Sequence, residues 1–222
     1  MTAAEAIVYV VDDDSSVRLA LANLIRSIGY RVEAFASAQE FLQHQRQDVP
    51  SCLVLDVLLP DSSGLELARE LGSSEMPLPI IFITGHGTIP MSVQAMKQGA
   101  IEFLTKPFRE EDLIAALHDA LERDSAARAE RSELAELRKR WERLTPRERD
   151  VLAHVVAGRL NKQIARELGA AEQTIKVHRG RVMRKLEVNS VADLTRLVER
   201  VSTQPWGALD PASRELKHRL VR

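Results

Sequence analysis

The sequence predicts an α/β fold with a doubly wound five-stranded parallel sheet, then a helical linker and a small all-α domain. Three observations carry this. Over the first 120 residues, short β-rich apolar runs alternate with helical patterns. The strand candidates are almost continuously apolar, as strands covered on both faces must be. Beyond residue 142 only helical periodicity remains, bounded by capping residues. Charge divides the same way: residues 1–122 carry 18 Asp and Glu against 8 Lys and Arg, whereas residues 145–201 carry 7 against 12. The net charge of -1 therefore conceals an acidic first half and a basic second half suited to a polyanion.

The strands are expected at Ile7–Val11, Val32–Phe35, Cys52–Val57, Ile80–Thr84 and Ile101–Leu104. Helices are expected at Ser16–Ile28, Ala38–Gln45, Ser63–Gly72, Ile89–Gln98 and Glu110–Arg123. The first of these helices is well marked, with Ser16 as its cap, Val17, Leu21, Leu24, Ile25 and Ile28 on one face, and Gly29 after its end. Residues 124–142, rich in Ala, Arg and Glu, predict a helical linker, either separate from the helix before it or continuous with it, with a narrow stripe of Leu134, Leu137, Trp141 and Leu144. That stripe suits packing within the chain as well as it suits a coil between chains.

The last domain, residues 143–201, opens on a capping box of Thr145 and Glu148 with Pro146 at the first helical position. That helix ends at Gly158; a second, capped by Asn161, ends at Gly169; a third runs from Glu172 to Leu186 and a fourth from Ser190 to Val201. The tail, residues 202–222, holds a possible short helix over Pro211–Leu220. The domain boundaries are thus 1–123, 124–142, 143–201 and 202–222.

Cys52 is the single cysteine, which excludes an intramolecular disulfide framework; its apolar neighbours suggest a buried thiol, and a cytoplasmic setting is expected. The opening MTAAEAIVYVVDDD lacks the basic segment of a secretory signal, and no apolar run nears the roughly 20 residues of a membrane helix, so no membrane partner is expected.

Asp12, Asp13 and Asp14 follow the first strand and Asp56 lies near the end of the third. In a parallel sheet these strand ends share one edge, where ligands bind. Clustered carboxylates repel unless a cation compensates them, and hard oxygen donors suit Mg2+. Thr84 and Lys106, at the ends of the fourth and fifth strands, would add a hydroxyl and an ammonium at the same edge. Each feature alone has a bland explanation, as a solvated turn, a surface lysine or a structural threonine; their common position argues for phosphoryl transfer to a carboxylate.

VVDDD at 10–14, LVLDVLLPDSSG at 53–64, FITGHG at 82–87 and FLTKPF at 103–108 resemble the receiver domain of bacterial two-component response regulators. The resemblance implies that Asp56 accepts a phosphoryl group from a sensor histidine kinase. It implies Mg2+ held by Asp12, Asp13, Asp56 and the carbonyl of Leu58, with Asp12 acting through water. Lys106 would contact the phosphate, with a cis Lys106–Pro107 bond; Thr84 and Phe103 would form the switch pair, although Phe103 serves equally as core. Asp14 has no ligand role and is left to acidic field or helix capping. Asp61 departs from the family's usual loop and adds charge at the mouth.

In the basic domain, Ile164, Ala165, Leu168, Ile175, Val182 and Leu186 would pack, and the third helix would present Thr174, Lys176, His178, Arg179, Arg181, Arg184 and Lys185. This pattern fits a helix-turn-helix. LTPRERDVL at 144–152, NKQIARELG at 161–169 and TIKVHRGRVMRKL at 174–186 resemble the LuxR-type DNA-binding domain. By that resemblance Lys162, Thr174 and His178 meet the phosphate backbone, Lys185 adds attraction, and Lys176, Val177 and Arg181 approach base edges. Leu194 and Val198 serve either as a dimer face or as a satellite core. Gly180 either tunes the target sequence or is tolerated.

The order receiver, linker, LuxR-type domain is similar to the FixJ type of response regulator. It implies a regulator, with activation the leading expectation, whose partners are a histidine kinase, double-stranded promoter DNA and RNA polymerase holoenzyme, and which forms a homodimer when phosphorylated. An enzyme of the haloacid-dehalogenase type is the main competitor. It needs a second acid two residues after the nucleophile, and Leu58 stands there.

Overall fold

The computed structural model describes residues 5–60, 62–74 and 77–203. Asp61 and the expected tail helix at 211–220 lie outside the described residues. The chain divides into two compact units, Met1–Ala129 and Glu130–Arg222.

In the first unit five strands, β1 (Ile7–Val11), β2 (Arg31–Phe35), β3 (Ser51–Asp56), β4 (Ile80–Thr84) and β5 (Glu102–Thr105), alternate with α1 (Ser15–Ser27), α2 (Ala38–Gln43), α3 (Gly64–Gly72) and α4 (Ile89–Lys97). The strands form one parallel sheet in the order β2-β1-β3-β4-β5, so the strand order reverses between β1 and β3. The alternating strand residues feed two cores. Ile7, Tyr9 and Val11 join Phe35, Phe41, Leu53, Leu65 and Phe82 on one face, while Val8 and Val10 join Ile25, Val54, Ile83, Leu113 and Leu117 on the other. Cys52 is fully buried on the second face, and burial pushes its thiol far up, which fits an inert packing role.

One expectation for the first unit needs correction. Asp14, not Ser16, caps α1, because its carboxylate accepts the Ser16 and Val17 amides and Ser16 already lies inside the helix. The linker runs on from the helix before it, as its composition allows: residues 110–123 and 124–142 form one helix, α5 (Glu110–Glu142), since no glycine, proline or cap interrupts this Ala-, Arg- and Glu-rich run.

On the first-unit part of α5, buried Asp124 accepts the amide of Ser51 at 2.8 Å and the Arg128 guanidinium at 2.6 Å; Arg128 also pairs with Asp48. A carboxylate from α5 thereby satisfies the amide that begins β3.

The second unit contains the end of α5 followed by α6 (Pro146–Val156), α7 (Asn161–Glu167), α8 (Glu172–Lys185) and α9 (Val191–Thr203). The Thr145–Glu148 capping box is present. Leu160, not Asn161, occupies the cap position of α7; the Gln163 side chain accepts its amide instead, leaving Asn161 free to bind elsewhere. Gly158 and Gly169 take φ of +74° and +62°, the left-handed turn that ends α6 and α7 and that glycine adopts without strain.

Trp141 and Leu144 are buried in the same core as Val151, Ile164, Ile175, Val182 and Leu186. The linker stripe therefore packs within the chain at these positions. Leu194 and Val198 are 0% and 1% exposed in that core, which decides for the satellite-core alternative.

Candidate functional site

Strand register builds the acidic site. Val11 pairs with Leu55, so the next residues, Asp12 and Asp56, lie side by side as the strands end. Asp56 pairs with Ile83, placing Thr84 one step beyond, and Thr84 pairs with Thr105, placing Lys106 beyond that. This is the edge of the sheet beside the reversal of strand order, where side chains from neighbouring strands converge.

The Lys106 Nζ lies 2.7 Å from Asp12 Oδ2 and 2.7 Å from Asp56 Oδ2, bridging both carboxylates. Asp12 is completely buried and Asp56 is 7% exposed. Asp56 also accepts the Leu58 amide at 2.9 Å, and Asp12 accepts that of Asp14 at 2.9 Å. Burial pushes the Asp12 carboxyl above its ordinary range, against the hydrogen bonds from Lys106 and Asp14. Burial also opposes the charge on Lys106, but its bonds to the two carboxylates prevail and raise it, so the ammonium is held charged.

Asp13 is exposed, and carboxylate oxygens of Asp12, Asp13 and Asp56 lie within 4.8 Å of one another. Three hard anionic donors facing one ammonium leave an excess of negative charge, which is consistent with a divalent-metal phosphorylation site.

Thr84 is fully buried and its hydroxyl accepts the His86 amide at 3.2 Å. Phe103 is half-buried against the first core, 6.3 Å from Phe82. The Lys106–Pro107 bond is cis, and the Lys106 amide donates to Thr84 O at 2.7 Å. Gly64 leaves no room for a side chain: a Cβ there would stand 2.2 Å from the Asp56 carbonyl oxygen.

In the second unit, α7 and α8 are joined by a tight turn through Gly169. Ile164, Ala165, Ile175, Val182 and Leu186 are buried and Leu168 partly so. Lys162, Thr174, Lys176, Val177 and Arg181 are exposed. His178 is half-buried, and its Nδ1 is buried without a hydrogen-bond partner among the described residues. Lys185 is committed within the module: its ammonium lies 2.6 Å from buried Glu148 and 2.9 Å from the Arg143 carbonyl. Arg179 donates to Asn161 at 3.1 Å, tying α8 to the start of α7.

Sequence reading did not single out Arg18, whose Nη1 donates to the carbonyls of Asp12 at 2.7 Å and Asp13 at 2.8 Å. The only available signal was its position one turn after the capping Asp14.

Residues 8–118 match the response regulator receiver domain, and residues 142–198 match the bacterial regulatory proteins of the luxR family. Nodulation protein W of Bradyrhizobium diazoefficiens is 52% identical over 195 residues, covering 88% of this chain and 86% of its own length. Transcriptional regulatory protein FixJ of Rhizobium meliloti is 42% identical over 190 residues, covering 86% and 93%. The solved structure of response regulator StyR superposes with a TM-score of 0.83 at 49% identity, covering 89% of this chain and 100% of that one. The chain belongs to the FixJ-type two-component response regulators, with a receiver domain and a LuxR-type helix-turn-helix domain. This architecture, with the Asp12–Asp13–Asp56 cluster, supports phosphorylation-driven, DNA-binding regulation of transcription, with the kinase and DNA partners typical of the family. Among the described residues no helix is long and apolar enough to cross a membrane.

Proposed function

We propose that Asp56 accepts a phosphoryl group from a sensor histidine kinase and that its modification drives homodimerisation and promoter binding, activating transcription with RNA polymerase holoenzyme in the cytoplasm. The observation that carries the reading is Lys106, whose ammonium bridges Asp12 and Asp56 at 2.7 Å each. A buried carboxylate held by an ammonium and an amide at a sheet edge is oriented for attack on phosphorus.

In the transfer, an Asp56 oxygen forms the new bond to phosphorus while the donor's phosphorus–nitrogen bond breaks and its imidazole leaves. Lys106 remains beside the phosphoryl oxygens as a counter-charge. Asp12, Asp13, Asp56 and the Leu58 carbonyl would hold Mg2+, Asp12 by way of water, and the ion would supply further neutralisation of charge on those oxygens. The Thr84 hydroxyl turns to the acyl phosphate and Phe103 moves inward, biasing a two-state receiver.

Residues 1–123 thus act as the input, 124–142 as the connection and 143–201 as the output. On α8, Lys176, Val177 and Arg181 approach base edges, while Lys162, Thr174, His178 and Lys185 serve the phosphate backbone. The commitment of Lys185 to Glu148 gives it the smallest direct part.

The test is incubation of wild type and Asp56→Asn with a small-molecule phosphoryl donor and Mg2+. We expect alkali-labile, hydroxylamine-sensitive phosphate on wild type and none on the variant. Equal labelling of both proteins removes Asp56 as the acceptor.

A further inference from the structure

The loop between β1 and α1 holds only Asp12, Asp13 and Asp14, yet it delivers two of the three carboxylates of the acidic cluster. Two of its residues have their own anchors. Asp12 is buried, with Lys106 and the Asp14 amide on its carboxylate; Asp14 caps α1. Asp13 differs, because it is exposed and its carboxylate makes no hydrogen bond or ion pair among the described residues. Its place in the cluster is set by its backbone alone.

That backbone is gripped by Arg18. One guanidinium nitrogen donates to both the Asp12 carbonyl, at 2.7 Å, and the Asp13 carbonyl, at 2.8 Å. These carbonyls belong to the two peptide planes that flank Asp13, so fixing them fixes both of its backbone dihedrals and the direction of its Cβ. Charge-assisted bonds to consecutive carbonyls are stronger than neutral ones, and Arg18 is itself seated on α1 through its amide bond to Asp14 O at 2.9 Å.

We infer that Arg18 is a positioning residue for phosphoryl transfer: its grip on the Asp12 and Asp13 carbonyls holds the Asp13 carboxylate where a divalent cation needs it. The inference rests on the proposed phosphoacceptor reading of the same site. Arg18 touches neither the cation nor the phosphoryl group; it acts through Asp13, as outer partners of metal ligands do.

The experiment is Mg2+ titration of the unphosphorylated full chain, followed by backbone amide chemical shifts, in wild type, Arg18→Ala, Arg18→Lys, Arg18→Gln and Asp13→Ala. A parallel series measures the Mg2+ half-saturation of Asp56 labelling. Arg18→Ala is expected to weaken Mg2+ binding about tenfold, at the low end of the 10- to 100-fold typical of second-layer partners, with most of the labelling rate regained at saturating Mg2+. Arg18→Lys, which keeps a charged donor, is expected to bind Mg2+ more tightly than Arg18→Ala. Combining Arg18→Ala with Asp13→Ala should add nothing to the loss from Asp13→Ala alone.

Unchanged Mg2+ affinity in folded Arg18→Ala, or a Lys variant as weak as the Ala variant, overturns the inference. A residue that served stability alone would lower the thermal midpoint and leave the Mg2+ half-saturation where it was. If Arg18→Ala does not fold, the Lys and Gln variants decide: Gln weaker than Lys supports the grip, and equal affinities sink it. Wild type that binds no Mg2+ and takes no label overturns the phosphoacceptor reading itself, a result distinct from failure at Arg18.

Discussion

Gly64→Ala is a small change with a calculable consequence at Asp56. The added Cβ would lie 2.2 Å from the Asp56 carbonyl oxygen and 3.1 Å from both the Asp56 carbonyl carbon and the Val57 Cα. Relief to an ordinary contact takes a shift of about 1 Å, and both partners are backbone. The Gly64 amide is bonded to Val57 O at 2.9 Å, so the start of α3 cannot move away alone. Overpacking costs about 3 kcal/mol at the upper end of its range, offset by about 0.5–1 kcal/mol from replacing glycine in a helix, for a net loss of about 2 kcal/mol.

The chain offers separate reporters, since Tyr9 and Tyr30 lie in the first unit while Trp141 lies in the second. With a urea dependence of about 2 kcal/mol/M, the tyrosine-reported midpoint should fall by about 1 M while the tryptophan-reported midpoint stays. Labelling of Asp56 should slow at least tenfold, because about 1 Å of displacement at a reacting group costs on the order of 100-fold. An unchanged tyrosine transition, with labelling as fast as wild type, refutes the reasoning.

Three further outcomes follow from particular contacts. Asp124→Ala strips a buried acceptor from the Ser51 amide and from Arg128, and should cost the first unit about 3 kcal/mol, read in the same urea assay. For Glu148, burial raises the carboxyl but the bonds from Lys185 and Thr145 prevail and hold it below the ordinary 4.5. A depressed folded value contributes stability above the unfolded pKa that is lost as pH falls through the folded one. The second unit should therefore weaken below about pH 4.5, and Glu148→Gln should flatten that acid limb of the tryptophan-reported midpoint. Lys176→Ala and Arg181→Ala should weaken binding to an operator by about 1–3 kcal/mol each and to random duplex much less, measured at fixed salt; equal losses on both duplexes reassign them to the backbone.

Much of the site was legible because strand ends and motif order are local properties. Asp12, Asp56, Thr84 and Lys106 each follow an apolar run, and once the strands are parallel the register brings them together. The apolar face of α8 was equally legible from spacing, and Ile175, Val182 and Leu186 are buried as that spacing requires. What escaped involves groups brought together by folding rather than by period. Asp124 reaches an amide 73 residues earlier in the chain, and Glu148 reads as a cap long before it can be seen as the partner of Lys185, 37 residues later. Arg18 serves backbone carbonyls, which carry no sequence signature. The continuity of the linker with the helix before it was legible, because nothing local breaks the run from Glu110 to Glu142.

If Asp56 is the input of the proposed switch, its modification changes the affinity of the helix-turn-helix for DNA. The direct measurement is equilibrium binding of full-length protein, with and without phosphoryl donor and Mg2+, to a duplex that the protein selects from a random pool. Salt is held constant, and the mass of the complex is measured alongside. At least about a tenfold gain in affinity is expected, a coupling free energy of about 1.4 kcal/mol, with a dimer on the DNA and no change for Asp56→Asn. Fully labelled Asp56 with unchanged affinity and unchanged mass would contradict it.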